Sequence, residues 1–468
     1  MTFGIPVLIV YLLLMVRHAA AGLKRSTNPA EYHVAGRRVP GVLIGLSFYA
    51  TFLSTNSFVG LTGRSAEFGL GTWLIGLMFV GFAWISWRFI APPLRAASER
   101  FGSLSLPEFF GSAYDAAGYR RLAGVVVVVA SIPYLQAVFK GATLVVARLS
   151  GLDEGPALLI LWIAVVAYTL CGGFHAVVRT DVVQGALMLF AALLLPVLLI
   201  VHSGGLGPLI SATEAASGRP ASAWPTMAPF SLLLAMGCAG GFKLMAEPRQ
   251  VTRFFAVDAA EIGKARRTAL VALLISYVAL LPVGLLAHGV LTELPTDVDQ
   301  IIPALLATED VVPPLAGALI LGSLLAAAMS SIDSALLVVG AALQRDILRW
   351  EGGRGPLDEL LSTRLFVLLA SIPPALLVFS TDAEILDLTT FAGGLYGAAF
   401  LVPLLFAVGP RPERRAAWAA TLAGIGSLLL WKIVVIPAFP STSVVHEVIV
   451  GAAASFLAMI TVITTRRA

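Results

Sequence analysis

Ser47-Phe48-Tyr49-Ala50-Thr51-Phe52-Leu53-Ser54-Thr55-Asn56-Ser57, with Gly60 and Gly63 close behind, sits inside an apolar run covering residues 40–66. A run of about 20 apolar residues is long enough to cross a bilayer as a helix. This one carries hydroxyls, an amide and glycines at its middle. Backbone polar groups at that depth must be satisfied internally, so unwinding is tolerated only where the freed carbonyls line a cavity. The bland reading is that small residues let a neighbouring helix come close. Both readings place the stretch in a membrane. Composition agrees: of 468 residues, 58% are hydrophobic and 12% charged, against about 25% charged in a soluble domain. Mean hydropathy is +0.91. The short alternating segments of a transmembrane barrel are not visible.

Outward from that run, the chain reads as an all-α polytopic membrane protein of about thirteen spans: 3–21, 40–66, 69–93, 122–149, 156–172, 181–203, 227–246, 268–290, 313–343, 363–379, 385–408, 415–437 and 443–464. The first run, Ile5 to Val16, lacks a small-residue cleavage site and is read as a retained helix. Basic residues gather in alternate connections. They are Arg17, Lys24, Arg25, Arg37 and Arg38; Arg88, Arg95, Arg100, Arg120 and Arg121; Arg249, Arg253, Lys264, Arg266 and Arg267; Arg345, Arg349, Arg354 and Arg364; Arg411, Arg414 and Arg415; then Arg466 and Arg467. The other loops are neutral or acidic, with Asp153, Glu154, Glu293, Asp297, Asp299, Glu309, Asp310, Asp382 and Glu384. The positive-inside rule then puts the N-terminus outside and the C-terminus in the cytoplasm of a bacterial-type inner membrane. Residues 204–226 read as a surface connector and 294–312 as room for a short amphipathic helix. A short helix is expected to begin near Ser105-Leu106-Pro107-Glu108, capped by Ser105. Cys171 and Cys238 fall in or beside spans, so no disulfide framework is expected.

The seventh span carries Gly237-Cys238-Ala239-Gly240-Gly241. It lies five spans after the second, and a broken first helix in each half is the mark of an inverted five-helix repeat. The chain therefore divides into one transmembrane domain, 1–468, built of an extra helix at 3–21, a first repeat at 40–203, an inverted second repeat at 227–408 and two C-terminal helices at 415–464. Close packing by glycine is the alternative for the seventh span, as for the second.

Chemistry concentrates in the ninth span, Ala326-Ala327-Ala328-Met329-Ser330-Ser331-Ile332-Asp333-Ser334. Helix spacing sets Ala327, Ser330, Ser331 and Ser334 in one polar strip with Asp333 at its edge. A carboxylate in hydrocarbon is costly and points to function, and hydroxyls with carbonyls suit a hard cation. A polar seam between helices, with Asp333 paired to a base, is the rival. Asp181 opens the sixth span and reads either as a site acid or as a helix N-terminal acid beside Thr180. Lys140 and Lys243 are the only lysines in the central spans. Each could meet a substrate carboxylate, snorkel, or pair with an acid. The six histidines show no ligand spacing, and no nucleophile elbow or phosphate loop is present. Neither an enzyme nor a nucleic-acid partner is expected.

At four segments the chain resembles the sodium:solute symporter family, which carries sugars, amino acids, sialic acids, vitamins and carboxylates. They are Ala35-Gly36-Arg37-Arg38 with Gly45-Leu46-Ser47 through Gly63; Tyr168-Thr169-Leu170-Cys171-Gly172-Gly173 through Gln184; Pro248 with Arg253-Phe254-Phe255-Ala256; and Ala327 through Ser334, ending near Arg345-Asp346-Ile347. The resemblance implies the leucine-transporter-like fold and sodium as coupling ion, with no other cofactor. It implies a sodium site made of the carbonyls of Ala50, Leu53 and Ala327 and the hydroxyls of Ser330 and Ser331. Some members have a second sodium site, which falls here on Asp181, Ser330, Asp333 and Ser334. Two departures stand out. Phe52 replaces an acid or amide of some members, and Asp333 replaces a serine, so the second site would hold two carboxylates and favour a proton on one.

The function expected is sodium-coupled symport of a small organic solute into the cell by alternating access. Lys140 and Lys243 favour a carboxylate-bearing solute, an amino acid or organic acid, with Phe52, Asn56, Gln136 and Phe242 as further lining. A proton-coupled symporter of the same fold is the near alternative, kept open by Asp181 and Asp333, and a transporter-like membrane sensor the distant one. Substrate, sodium and the lipid bilayer are the partners expected; the sequence leaves the oligomeric state open.

Overall fold

Peptide groups in hydrocarbon must pair within their own segment, and the apolar runs do so by closing into helices. The computed structural model describes residues 3–23, 25–350, 356–380, 385–409, 413–440, 442 and 445–465. Lys24, Arg354, Asp382, Glu384, Arg411, Arg466 and Arg467 lie outside them. Among the described residues every element is helical except an isolated bridge between Val39 and Val257. We number the helices α1 (Gly4–Leu23), α2 (Gly41–Phe52), α3 (Thr62–Phe68), α4 (Thr72–Ile85), α5 (Leu106–Ala113), α6 (Ala117–Ser150), α7 (Glu154–His202) and α8 (Phe230–Ala246). There follow α9 (Pro248–Ala256), α10 (Ile262–Leu280), α11 (Pro314–Ala341), α12 (Pro356–Leu376), α13 (Ile385–Ala407), α14 (Arg414–Leu430) and α15 (Glu447–Thr465).

Among the described residues, ten helices are long and apolar enough to cross a membrane, or eleven if the bent pair α8 and α9 is one span. The thirteen expected are reached only if the unbroken stretches Ser57–Phe101 and Glu154–His202 are each divided. Each is bent at a glycine in a conformation that side chains resist. Gly69 has φ +60°, and Gly173 has φ +53° with a Cβ position only 2.6 Å from the Tyr32 ring. The carbonyl of Gly172, freed by the second bend, accepts from the Ser26 hydroxyl at 2.7 Å. Residues 204–226 are more ordered than a connector: Leu206–Ser217 is a helix, and Glu214 accepts from the Ala221 amide at 2.6 Å. Between 294 and 312 a short helix forms over Ile301–Ala307, and it is apolar throughout rather than amphipathic.

Helix α11 is central, packed against α6, α7 and α2, while α1 lies along α7, and α8 lies between α4 and α13. The first turn of α5 is capped by Ser105 as the sequence predicts: Ser105 accepts from the Glu108 amide at 3.0 Å, and Glu108 accepts from the Leu104 amide at 2.9 Å. Several arginines counted as loop charges act as braces. Arg95 is buried and donates to the Val257 carbonyl at 2.8 Å and the Arg37 carbonyl at 3.2 Å. Arg37 donates to the Ser103 carbonyl at 2.6 Å. With the Val39–Val257 bridge, these bonds tie the entry to α2 to the exit from α9.

Candidate functional site

The first break is where the second span predicted it. Helix α2 stops at Phe52, and Leu53 takes φ −75° and ψ 77°, the geometry of an inverse γ-turn. The Ser54 amide closes that turn onto the Phe52 carbonyl at 2.9 Å. The Ala50 carbonyl is left to another donor, and the Ser330 hydroxyl donates to it at 3.0 Å. The same hydroxyl stands 3.0 Å from the Ala327 carbonyl. One hydroxyl proton cannot serve both carbonyls at once. The Ser331 hydroxyl is buried and makes no hydrogen bond of ordinary geometry among the described residues. Leu53 is also buried at the break. The structure thus gathers Ala50, Ala327 and Ser330 by direct contact, with Leu53 and Ser331 beside them. All five groups are neutral oxygens, the donor type a hard monovalent cation takes.

Of the four residues expected for a second site, Arg253 bridges Asp181 and Ser334, while Ser330 and Asp333 make other contacts. Asp181 is fully buried within α7, eight residues past the bend, so the helix N-terminal reading does not hold. Its Oδ2 accepts from Arg253 Nη2 at 2.8 Å and from the Ser47 hydroxyl at 2.5 Å. Arg253 Nη2 also donates to Thr51 Oγ1 at 2.6 Å and to Ser334 Oγ at 2.8 Å. Its Nε donates to Ser47 at 3.1 Å and its Nη1 to the Arg249 carbonyl at 2.8 Å. Asp333 is buried beside this cluster. It accepts from the Tyr168 hydroxyl at 2.8 Å and from Ser334 at 3.1 Å, and pairs directly with no base among the described residues. Arg253 is 1% exposed, although by sequence it counts among the loop charges. A narrow cleft whose walls include His33, Leu104, Phe174 and Thr252 reaches Arg253 and Ser334. Burial, then Arg345, pushes the His33 imidazole down to about 3, so that wall is neutral at physiological pH.

The second break is not at the glycines. Helix α8 runs through Gly237, Gly240 and Gly241 and ends at Ala246, and the chain bends by 47° into α9. Added Cβ atoms at those glycines would come within 2.3 Å of Met78, 2.3 Å of Phe79 and 2.0 Å of Phe82. There the close-packing reading wins. Glu247 makes the break, extended at φ −67° and ψ 126°, because a residue before proline is pushed out of the helical region. Its buried Oε1 accepts from Arg249 Nε at 3.0 Å and also from Nη2, while Oε2 has no partner among the described residues. Arg249 Nη1 donates to the Tyr134 hydroxyl at 2.7 Å, and its guanidinium lies 4.0 Å over the Tyr134 ring. Lys243, one turn before Glu247, holds its ammonium 5.4 Å over the same ring and makes no ion pair among the described residues. Both atoms of the Gln250 amide are buried and have no partner among the described residues.

The other expected lining residues divide. Phe52 packs on Phe79 and Phe242 on Phe82, with ring centroids 5.5 and 5.7 Å apart, so both border the breaks. Gln136 lies two residues from Tyr134, on the opposite face of α6, and donates to the Leu377 carbonyl at 2.7 Å. Lys140 is half-buried one turn further along that face and is engaged with its surroundings. The side chain of Asn56 lies outside the described residues. Sequence reasoning missed Arg253, Glu247, Arg249, Tyr134 and Gln250.

Residues 32–424 match the family described as Sodium:solute symporter family. The high-affinity proline transporter PutP of Bacillus subtilis is 30% identical over 446 residues, covering 93% of this chain and 92% of the relative. The sodium/pantothenate symporter of Haemophilus influenzae is 25% identical over 468 residues, covering 96% of this chain and 95% of that one. Among solved structures, the substrate-bound outward-open state of a Na+-coupled sialic acid symporter superposes with TM-score 0.82 at 20% identity, covering 98% of this chain and 97% of that one.

Proposed function

The chain belongs to the sodium:solute symporter family, and on that premise we propose that it carries a small zwitterionic amino acid, proline first among the candidates, together with sodium. It is a multi-pass membrane transporter of the leucine-transporter-like fold, not an enzyme. One observation carries the substrate class: Lys243 and Glu247 set opposite charges one helical turn apart at the second break, and Glu247 Oε2 has no partner among the described residues. The lysine ammonium takes the substrate carboxylate and Glu247 takes its ammonium, with Arg249 holding the other Glu247 oxygen. Relatives named for proline transport support the choice of proline.

Sodium sits among the carbonyls of Ala50, Leu53 and Ala327 and the hydroxyls of Ser330 and Ser331. A membrane potential of about 100 mV does about 2.3 kcal/mol of work on one charge. A tenfold sodium gradient adds about 1.4 kcal/mol. One coupled ion then sustains roughly 500-fold accumulation. The proton-coupled alternative rested on Asp181 and Asp333, and Arg253 now answers the first while Tyr168 and Ser334 donate to the second. The N-terminus faces outward and the C-terminus the cytoplasm, so the cleft near Leu104 opens inward.

Uptake of labelled proline into proteoliposomes tests this reading. Proline should accumulate when sodium is imposed outside and not when choline replaces it at a fixed proton gradient. A neutral sugar and a monocarboxylate without an amine should fail to compete. Competition by the sugar but not by proline would reject the zwitterion site.

The stem of Lys243 passes over Gly393, where an added Cβ would stand 2.2 Å from Lys243 Cδ. Overpacking there displaces the ammonium at a cost on the order of 1–3 kcal/mol. Gly393→Ala should therefore raise the KM for proline by about tenfold. The sodium dependence of thermal stability should be unchanged. An unaltered KM would detach Lys243 from the substrate.

A further inference from the structure

A cation bridging Asp181 Oδ2, Thr51 Oγ1 and Ser334 Oγ would stand where Arg253 Nη2 stands, since Nη2 lies 2.8, 2.6 and 2.8 Å from those oxygens. We propose that the Arg253 guanidinium is a tethered cation resident in the second cation position, and that it fixes the chain at one bound sodium per transport cycle. The inference rests on sodium-coupled symport as read above, but not on the identity of the solute.

Three observations bear on it. The guanidinium is engaged at all three nitrogens: Nε donates to Ser47 and Nη1 to the Arg249 carbonyl, while the two N–H groups of Nη2 are shared among Thr51, Asp181 and Ser334. It is also held in place, because its acceptors come from α2, α7, α9 and α11, and its carbon lies 5.4 Å over the Phe174 ring. Lastly, the formal charges favour one further cation. With both carboxylates ionised, Asp181 and Asp333 bring two negative charges and Arg253 one positive, and the oxygens proposed for sodium bring none. A single sodium beside Ser330 balances the cluster. Two would leave it positive in a low-dielectric interior, where unpaired charge is costly.

Both breaks meet in this arrangement. Arg253 rides on α9, which begins at the substrate-side break, and its partners Ser47 and Thr51 lie on α2, which ends at the sodium-side break. A sodium ion in the same position would leave with each turnover. A tethered guanidinium stays, so its charge does no work on the solute gradient.

Equilibrium dialysis of the purified full-length protein with radioactive sodium counts the ions directly and needs no substrate. Wild type should saturate at one sodium per chain with a Hill slope near 1. Arg253→Gln opens the position and leaves two carboxylates facing it, so binding should rise to two per chain with a slope above 1. Arg253→Gln combined with Asp181→Asn lowers the uncovered charge again and should return the count to one. Wild type binding two sodium ions would overturn the proposal, whatever the variants do. Arg253→Gln that folds and still binds one would overturn it as well. If Arg253→Gln fails to fold, the wild-type count and the double variant decide. No saturable sodium in wild type would reject sodium coupling and this inference together. Failure of proline as substrate would leave the count untouched.

Discussion

Replacing Ser330 and Ser331 together by alanine is expected to raise the half-saturating sodium concentration by roughly thirtyfold or more, while the protein still folds. Sodium must shed its water to sit at mid-membrane, so every lost contact is replaced by protein oxygen. The carbonyls of Ala50, Leu53 and Ala327 survive side-chain substitution; the two hydroxyls do not. Each is worth on the order of 1–3 kcal/mol as a polar partner. Ser330→Ala should be the worse single variant. Its hydroxyl stands 3.0 Å from both the Ala50 and the Ala327 carbonyls and so also fixes α11 against the end of α2. Linkage requires a matching loss of apparent substrate affinity at fixed sodium, because the two ligands stabilise the same state. High sodium should restore part of it. The measurement is a sodium titration of thermal stability and of uptake for each variant and for the pair. A well-folded double variant with the wild-type sodium dependence would reduce this strip to helix packing.

Much of this site could be read in the sequence because its logic is local. The hydroxyls and small residues from Ser47 to Ser57 foretold a helix that stops, and it stops at Phe52. The spacing of Ala327, Ser330 and Ser331 foretold one polar strip, and Ser330 reaches Ala50 across the helix pair. What escaped was long-range. Arg253 looked like an inward-facing loop charge, because counting arginines between spans cannot tell a solvated guanidinium from one buried against Asp181, 72 residues away in sequence. The second break was misplaced for a different reason. Glycines in an apolar helix signal either unwinding or close approach, and here the rings of Phe79 and Phe82 decide for approach. The sequence did hold the right signal at Glu247-Pro248. An acid at a span's end, forced out of the helical region by the following proline, outranks flexible glycines as a mark of a functional break. With Arg249 and Arg253 buried, that connection still carries Lys264, Arg266 and Arg267.

Glu247→Gln is expected to lower proline affinity by about tenfold to a hundredfold, and the difficulty lies in separating that loss from structural damage. The carboxylate has two roles on two oxygens. Oε1 is bound by Arg249, and removing one member of a buried ion pair costs about 3–5 kcal/mol. Oε2 is buried and unpartnered among the described residues, and there the substrate ammonium would make a charged hydrogen bond worth about 1.5–3 kcal/mol. Glutamine keeps the shape and an acceptor for Arg249 but removes the charge that both roles need. The single variant should therefore lose stability as well as affinity. Adding Arg249→Gln removes the unpaired guanidinium, so the double variant should regain thermal stability. It should not regain proline binding, because nothing then faces the ammonium. Sodium binding measured without substrate should persist in the double variant, since none of the five oxygens proposed for sodium belongs to this pair. A further readout follows from chemistry. The cyclic ether acid that matches proline without its amine should be rejected by the wild type, where Oε2 would stay unpaired, and less strongly rejected by Glu247→Gln. If the double variant recovers proline affinity along with stability, Glu247 serves only to hold Arg249, and the ammonium must be recognised elsewhere.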